Sequence, residues 1–139
     1  MTGRLAIINA RIVDPDTHQD GPGAILVEHG SITDIGPRLF NDGKPAGAEI
    51  VDAKDHVLAP GLIDMRVFTG EPGAEHRETL KSAGDAAAAG GVTSIVVMPN
   101  TEPVIDDAAL VDFIKRRADA TSKIRVYPAA ALTRGLRGE

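Results

Sequence analysis

Leu58-Ala59-Pro60-Gly61-Leu62-Ile63-Asp64-Met65 is where the chain changes its pattern. Downstream of Pro60-Gly61, strand and helix signals alternate. Leu62 to Phe68 is apolar and strand-like. Leu80, Ala83, Ala87 and Ala88 then recur at helical spacing, with Gly84 on the same face. Glu75 and Glu78 are expected near the start of that helix, where its dipole favours negative charge. Gly90-Gly91 should end it, since a helix commonly stops at a residue free to take a left-handed backbone. Ser94 to Met98 reads as a short buried strand. Asp106 or Asp107 is expected to cap a second helix with an inner face of Leu110, Phe113, Ile114 and Ala118. Lys115, Arg116 and Arg117 then fall near its C-terminus, as a solvated helix end. Ile124 to Ala131 reads as a third strand. The order β-α-β-α-β with short links predicts an α/β unit of parallel strands joined by right-handed crossovers.

Upstream, short apolar runs are broken by turn residues. Leu5-Ala6-Ile7-Ile8 and Arg11-Ile12-Val13 read as strands, with turns at Asp14-Pro15 and Asp20-Gly21-Pro22-Gly23. Ala24 to Glu28 and Ser31 to Ile35 flank His29-Gly30, a two-residue loop suited to a hairpin. Asn41 to Gly47 reads as loop, and Ile50-Val51 and Val57-Leu58 as strand stubs. This half predicts a small antiparallel sheet.

Composition narrows the function. The chain has 139 residues, 15 basic against 20 acidic side chains and no cysteine. That length suits one domain, or one and a piece of another. Without cysteine there is no disulfide scaffold, thiolate cage or cysteine nucleophile. A net charge of -5 and four aromatic residues argue against a nucleic-acid groove, which wants basic charge and stacking rings. No apolar run reaches the roughly 20 residues of a membrane span, and Met1-Thr2-Gly3-Arg4 does not open a signal peptide. The expected location is the cytoplasm, with no membrane or nucleic-acid partner. Three parallel strands cannot close a barrel, which takes eight strands and about 250 residues. The chain is therefore expected to be the N-terminal piece of a longer protein.

The span Leu58 to Met65, followed by Glu71-Pro72-Gly73 and Met98-Pro99-Asn100-Thr101, resembles the dihydroorotase family of the amidohydrolase superfamily. The resemblance implies a β-sandwich part at residues 1–58. Residues 59–139 would then be the first β-α-β-α-β portion of a (β/α)₈ TIM barrel, with about three barrel strands. It implies a family reaction, reversible ring closure of N-carbamoyl-aspartate to dihydroorotate in pyrimidine biosynthesis. It also implies a family cofactor, zinc. In that family the first barrel strand carries P-G-x-I-D-x-H-x-H. Two side chains one residue apart on a strand share a face, and at a barrel mouth two such histidines converge on metal. Metal lowers the pKa of a bound water and polarises the ring carbonyl.

The sequence departs from that motif where the chemistry sits. Arg66 and Phe68 stand at the two histidine positions, and Gly70 stands where the family carries a carboxylate-binding arginine. Of the substrate-binding positions only Asn100 matches. Neither a guanidinium nor a phenyl ring offers Zn²⁺ a lone pair. At ~4 Å and an effective dielectric near 20, Arg66 would repel a divalent ion by about 8 kcal/mol. No catalytic residue, no metal ligand and no cofactor are expected within this segment.

Other candidates have plainer readings. His18, His29, His56 and His76 fall in turns or at a helix start and read as solvated. Asp64 reads chiefly as structural at the start of the barrel, and Glu71-Pro72-Gly73 as a strand-to-helix loop rather than an acid–base group. For Asn100 and Thr101, a turn-capping role competes evenly with a ligand-facing one. Ala86 to Gly91 lacks the spacing of a phosphate loop.

Two functions remain open, both from the resemblance. One is a non-catalytic dihydroorotase-like partner of aspartate carbamoyltransferase, in a homo- or hetero-oligomer. The other is an active zinc-dependent dihydroorotase whose ligands lie outside this segment. A hydantoinase-type cyclic-amide hydrolase shares the fold but suits the M-P-N-T and E-P-G runs less well.

Overall fold

A computed structural model describes residues 3–138. Met1, Thr2 and Glu139, on which the expectations about a leader and about the end of the chain partly fell, lie outside the described residues. Contacts divide the chain into two units at Pro60–Gly61.

The first unit is one five-stranded sheet. β1 (Arg4–Asp14), β2 (Gln19–Glu28) and β3 (Ser31–Gly36) form an antiparallel meander. β4 (Ala48–Asp52) and β5 (Val57–Leu58) then add on the other side of β1. Both of these run parallel to β1, so the sheet is mixed and not the purely antiparallel one expected. The two anticipated strands at its start are one strand, interrupted by a register shift between Ile7 and Ala10. There Asn9 takes a φ of 54° and its carbonyl accepts from the Asp55 amide at 2.7 Å. Asp20 to Gly23 is strand and not turn. Gly21 pairs with Ile12 and Gly23 with Ala10. A Cβ on Gly23 would lie 2.4 Å from Ile12 Cδ1, so this glycine admits a neighbouring side chain and does not bend the chain. Ala10, Ile12 and Ile25 form the core, with Ile7, Val27, Ala53 and Leu58 packed around them. His29-Gly30 makes the anticipated tight turn, both residues having positive φ.

The second unit runs β6 (Leu62–Val67), α1 (Leu80–Ala89), β7 (Val92–Val97), α2 (Ala108–Thr121) and β8 (Arg125–Pro128), then a 3₁₀ turn at Arg134–Leu136. The strands are parallel in the order β6-β7-β8, as the alternating pattern predicts. β8 is shorter than the run from Ile124 to Ala131. Leu80, Ile95, Val97, Ile105, Ile114 and Ala118 make the core between sheet and helices. Burying a side chain such as Leu80 or Ile114 contributes about 1.5–3 kcal/mol each.

Local chemistry sets the helix ends. Thr79 and Ser82 form a reciprocal cap on α1, each hydroxyl accepting the other's amide at 3.0 Å. Glu75 and Glu78 precede α1, and the Glu78 carboxylate reaches its first turn by accepting the Ser82 hydroxyl. Gly91, with φ 78°, ends it. Asp107, not Asp106, caps α2 by accepting from the Leu110 amide at 2.9 Å. α2 continues to Thr121, so its last turn carries no basic residue and Lys115 to Arg117 are mid-helix. Phe113 is 43% exposed, and Val111 packs on the core in its place. Leu110, Ile114 and Ala118 face inward as expected.

Candidate functional site

The C-terminal ends of β6 and β7 bring most of the singled-out residues together. A cavity of about 360 Å³ is lined there by Phe68, Gly70, Arg77, Asn100, Thr101 and Glu102 among others. It lies where barrel-type sites form, beyond the strand ends.

β6 is irregular at this end. Pairing with β7 runs Asp64 to Ile95 and then Val67 to Val97, so one extra residue sits in β6 around Met65 and Arg66. Such bulges re-aim side chains. The Asp64 carboxylate spans this one by accepting the Arg66 amide at 3.0 Å, which is a structural use of Asp64. At the bulge, the Arg66 guanidinium lies 5.4 Å from the centroid of the Phe68 ring. The two side chains therefore share a side, as alternate strand positions should. At an exposed site this cation–π contact contributes about 0.5–1 kcal/mol. Arg66 makes no ion pair among the described residues.

A zinc ion does not fit this donor set. Arg66 and Phe68 supply no lone pair. Among the described residues no cluster of three or more His, Asp or Glu side chains could hold a metal. All four histidines are exposed and scattered. His18 and His29 sit in turns with φ of 57° and 52°. His56 Nδ1 contacts the Ala53 carbonyl at 2.7 Å. His76 lies in the loop before α1.

Asn100 is exposed and lies three residues past the end of β7. Thr101 turns inward on its own loop, its hydroxyl donating to the Pro103 carbonyl at 2.8 Å. Glu71 is only 3% exposed. Its Oε2 accepts the Leu80 amide at 2.8 Å and its Oε1 accepts Arg117 Nε at 2.6 Å. Its carboxylate therefore caps α1 and pairs with α2. Arg117, read from the sequence as a solvated cation, is half of a partly buried ion pair.

Sequence reasoning did not find Arg77, which lines the cavity from the end of the β6–α1 loop. It also did not join Glu71 to Arg117, because 46 positions separate them and no local pattern couples them.

No helix among the described residues is long and apolar enough to cross a membrane.

Comparison with known proteins gives concordant matches. A family described as dihydro-orotase-like matches residues 55–139. The dihydroorotase of Wolbachia sp. subsp. Brugia malayi is 44% identical over 131 residues, covering 94% of this chain and 30% of that protein. The dihydroorotase of Pelobacter propionicus is 44% identical over 135 residues, covering 97% and 31%. Among solved structures, L-hydantoinase (dihydropyrimidinase) from Arthrobacter aurescens superposes with a TM-score of 0.81 at 23% identity, over 92% of this chain and 28% of that one. That likeness is one of fold. The chain thus spans about 30% of the length of the curated relatives it matches.

Proposed function

This chain belongs to the dihydroorotase-like family, and from that premise we propose that it serves a dihydroorotase-related protein of pyrimidine biosynthesis as a framework without its own turnover. On this reading residues 1–58 are the sandwich part and residues 59–139 the opening of the barrel. The protein works in the cytoplasm, assembled with aspartate carbamoyltransferase as its partner.

One observation carries the reading. The positions that would present two histidines on one side of β6 present a guanidinium stacked on a phenyl ring. That pair repels a cation and cannot ligate one. The surrounding framework is nonetheless kept. The E-P-G loop, the M-P-N-T turn and the strand order are all intact around the altered pair. Asn100 remains at the cavity as a group able to bond a polar ligand.

The high identity to dihydroorotases favours a second reading, an active enzyme whose ligands come from elsewhere in a longer protein. Metal analysis combined with a dihydroorotate hydrolysis assay on the full-length protein separates the two. The framework reading expects neither stoichiometric zinc nor turnover, and co-purification with aspartate carbamoyltransferase. Stoichiometric zinc with turnover would falsify it. In the Arg66→His, Phe68→His double variant, metal uptake should rise.

A further inference from the structure

We infer that the loop between β6 and α1 is built around the absence of a side chain at position 70, so that this position can offer no anchoring group to a ligand. An ideal Cβ on Gly70 would lie 2.0 Å from the Ala74 carbonyl oxygen and 2.9 Å from that of Glu78. Both obstacles are main chain, which cannot swing aside as a side-chain tip can. Gly70 is not among the residues of positive φ, so the position requires space and not dihedral freedom.

The same loop uses up its own polar groups. The Gly70 amide donates to the Glu78 carbonyl at 3.0 Å, and the Gly70 carbonyl accepts the Ala74 amide at 2.5 Å. The Glu71 carboxylate is held by Leu80 and Arg117. The Pro72 carbonyl accepts the Glu102 amide at 3.1 Å. The Gly73 amide donates to Glu75 Oε1 at 3.0 Å. A Cβ on Gly73 would in turn lie 1.9 Å from the Glu102 carbonyl oxygen, so the two loops at the mouth are locked together at main-chain level. A ligand in the cavity meets Phe68, Arg77, Glu78, Asn100, Thr101 and Glu102 among others, while position 70 offers it main chain alone.

This deepens the framework reading and rests on it for its functional meaning. Returning histidines to 66 and 68 leaves position 70 closed, and an arginine placed there must first open the loop. Position 70 is therefore closed to a side chain by the backbone around it.

Amide hydrogen exchange on the intact protein tests this. The Gly70 and Ala74 amides should be protected in the unmodified protein. Gly70→Ala should speed exchange at Ala74 by about tenfold or more and lower Tm by several degrees. Gly36→Ala, whose added Cβ meets nothing within 4 Å, should change neither. Fast exchange of Gly70 and Ala74 in the unmodified protein overturns the inference. So does a Gly70→Ala variant with the parent's protection and Tm. If that variant does not fold, the exchange of the unmodified protein decides alone. Metal content read on the same samples concerns the framework reading: zinc bound by the unmodified protein defeats that reading and leaves the closed loop standing.

Discussion

Replacing Glu71 by Gln keeps the outline of a buried side chain and removes its charge. Two donors converge on the carboxylate, the Leu80 amide at 2.8 Å and Arg117 Nε at 2.6 Å. A glutamine amide has one acceptor oxygen, so its NH₂ must face the other donor in a site that is 3% exposed. The loss is one charge-assisted hydrogen bond, about 1.5–3 kcal/mol, with a buried donor left facing a donor. Arg117 is 47% exposed and regains water, which favours a total near the middle of that range, about 2 kcal/mol. For a chain of this size that is a fall in Tm of about 10 °C. Arg117→Ala leaves the carboxylate buried with a single partner and should cost about 3 kcal/mol. The double variant should cost clearly less than the sum, with a coupling of about 1–2 kcal/mol, because the neutral amide can then cap Leu80 undisturbed. Thermal and denaturant unfolding followed by circular dichroism measure all three. A Glu71→Gln variant within about 1 °C of the parent, or strictly additive costs, would refute the argument that this pair ties the mouth loop to both helices.

Two further changes probe the frame around the cavity. Asp107→Ala removes the α2 cap and should cost about 1 kcal/mol in the same unfolding experiments, with Asp107→Asn largely restoring it. Asp85 bonds Lys81 at 2.7 Å and lies 2.9 Å from the Lys123 ammonium, and these bonds, Lys81 first, hold its carboxyl below the usual aspartate range. Its contribution to stability is accordingly present above the ordinary aspartate pKa of about 4 and lost as pH falls through the lower folded value. The stability gap between parent and Asp85→Asn should thus be widest at neutral pH and close on acidification; a gap independent of pH would count against the assigned pairing.

The parallel unit was legible because its signals are local and agree with one another. Leu80, Ala83 and Ala87 repeat at helical spacing, Gly91 ends the helix and Asp107 begins the next. The first sheet was harder. Asp20 to Gly23 has a turn's composition, yet it pairs along β1 because Ile12 needs the space that Gly23 leaves. The direction of β4 and β5 depends on partners far along the chain, which no window of residues contains. Phe113 misled because three apolar neighbours, Leu110, Val111 and Ile114, already complete the buried stripe of α2. At the mouth, Arg66, Phe68 and Gly70 could be singled out from the sequence alone. The reason position 70 tolerates no side chain could not, since it lies in where Ala74 and Glu78 place their carbonyls.

The placement of β1 has a consequence for the order in which this protein takes shape. β1 to β3 can zip together as soon as they leave the ribosome, since each neighbour follows directly in sequence. β4 and β5 must instead be recruited from far downstream, and closing that longer excursion is the slower event. Until it happens, one flank of a nascent three-stranded ribbon carries a row of unmet amides and carbonyls. That interval is when the growing chain is most open to pairing with another copy of itself, or to capture by a chaperone.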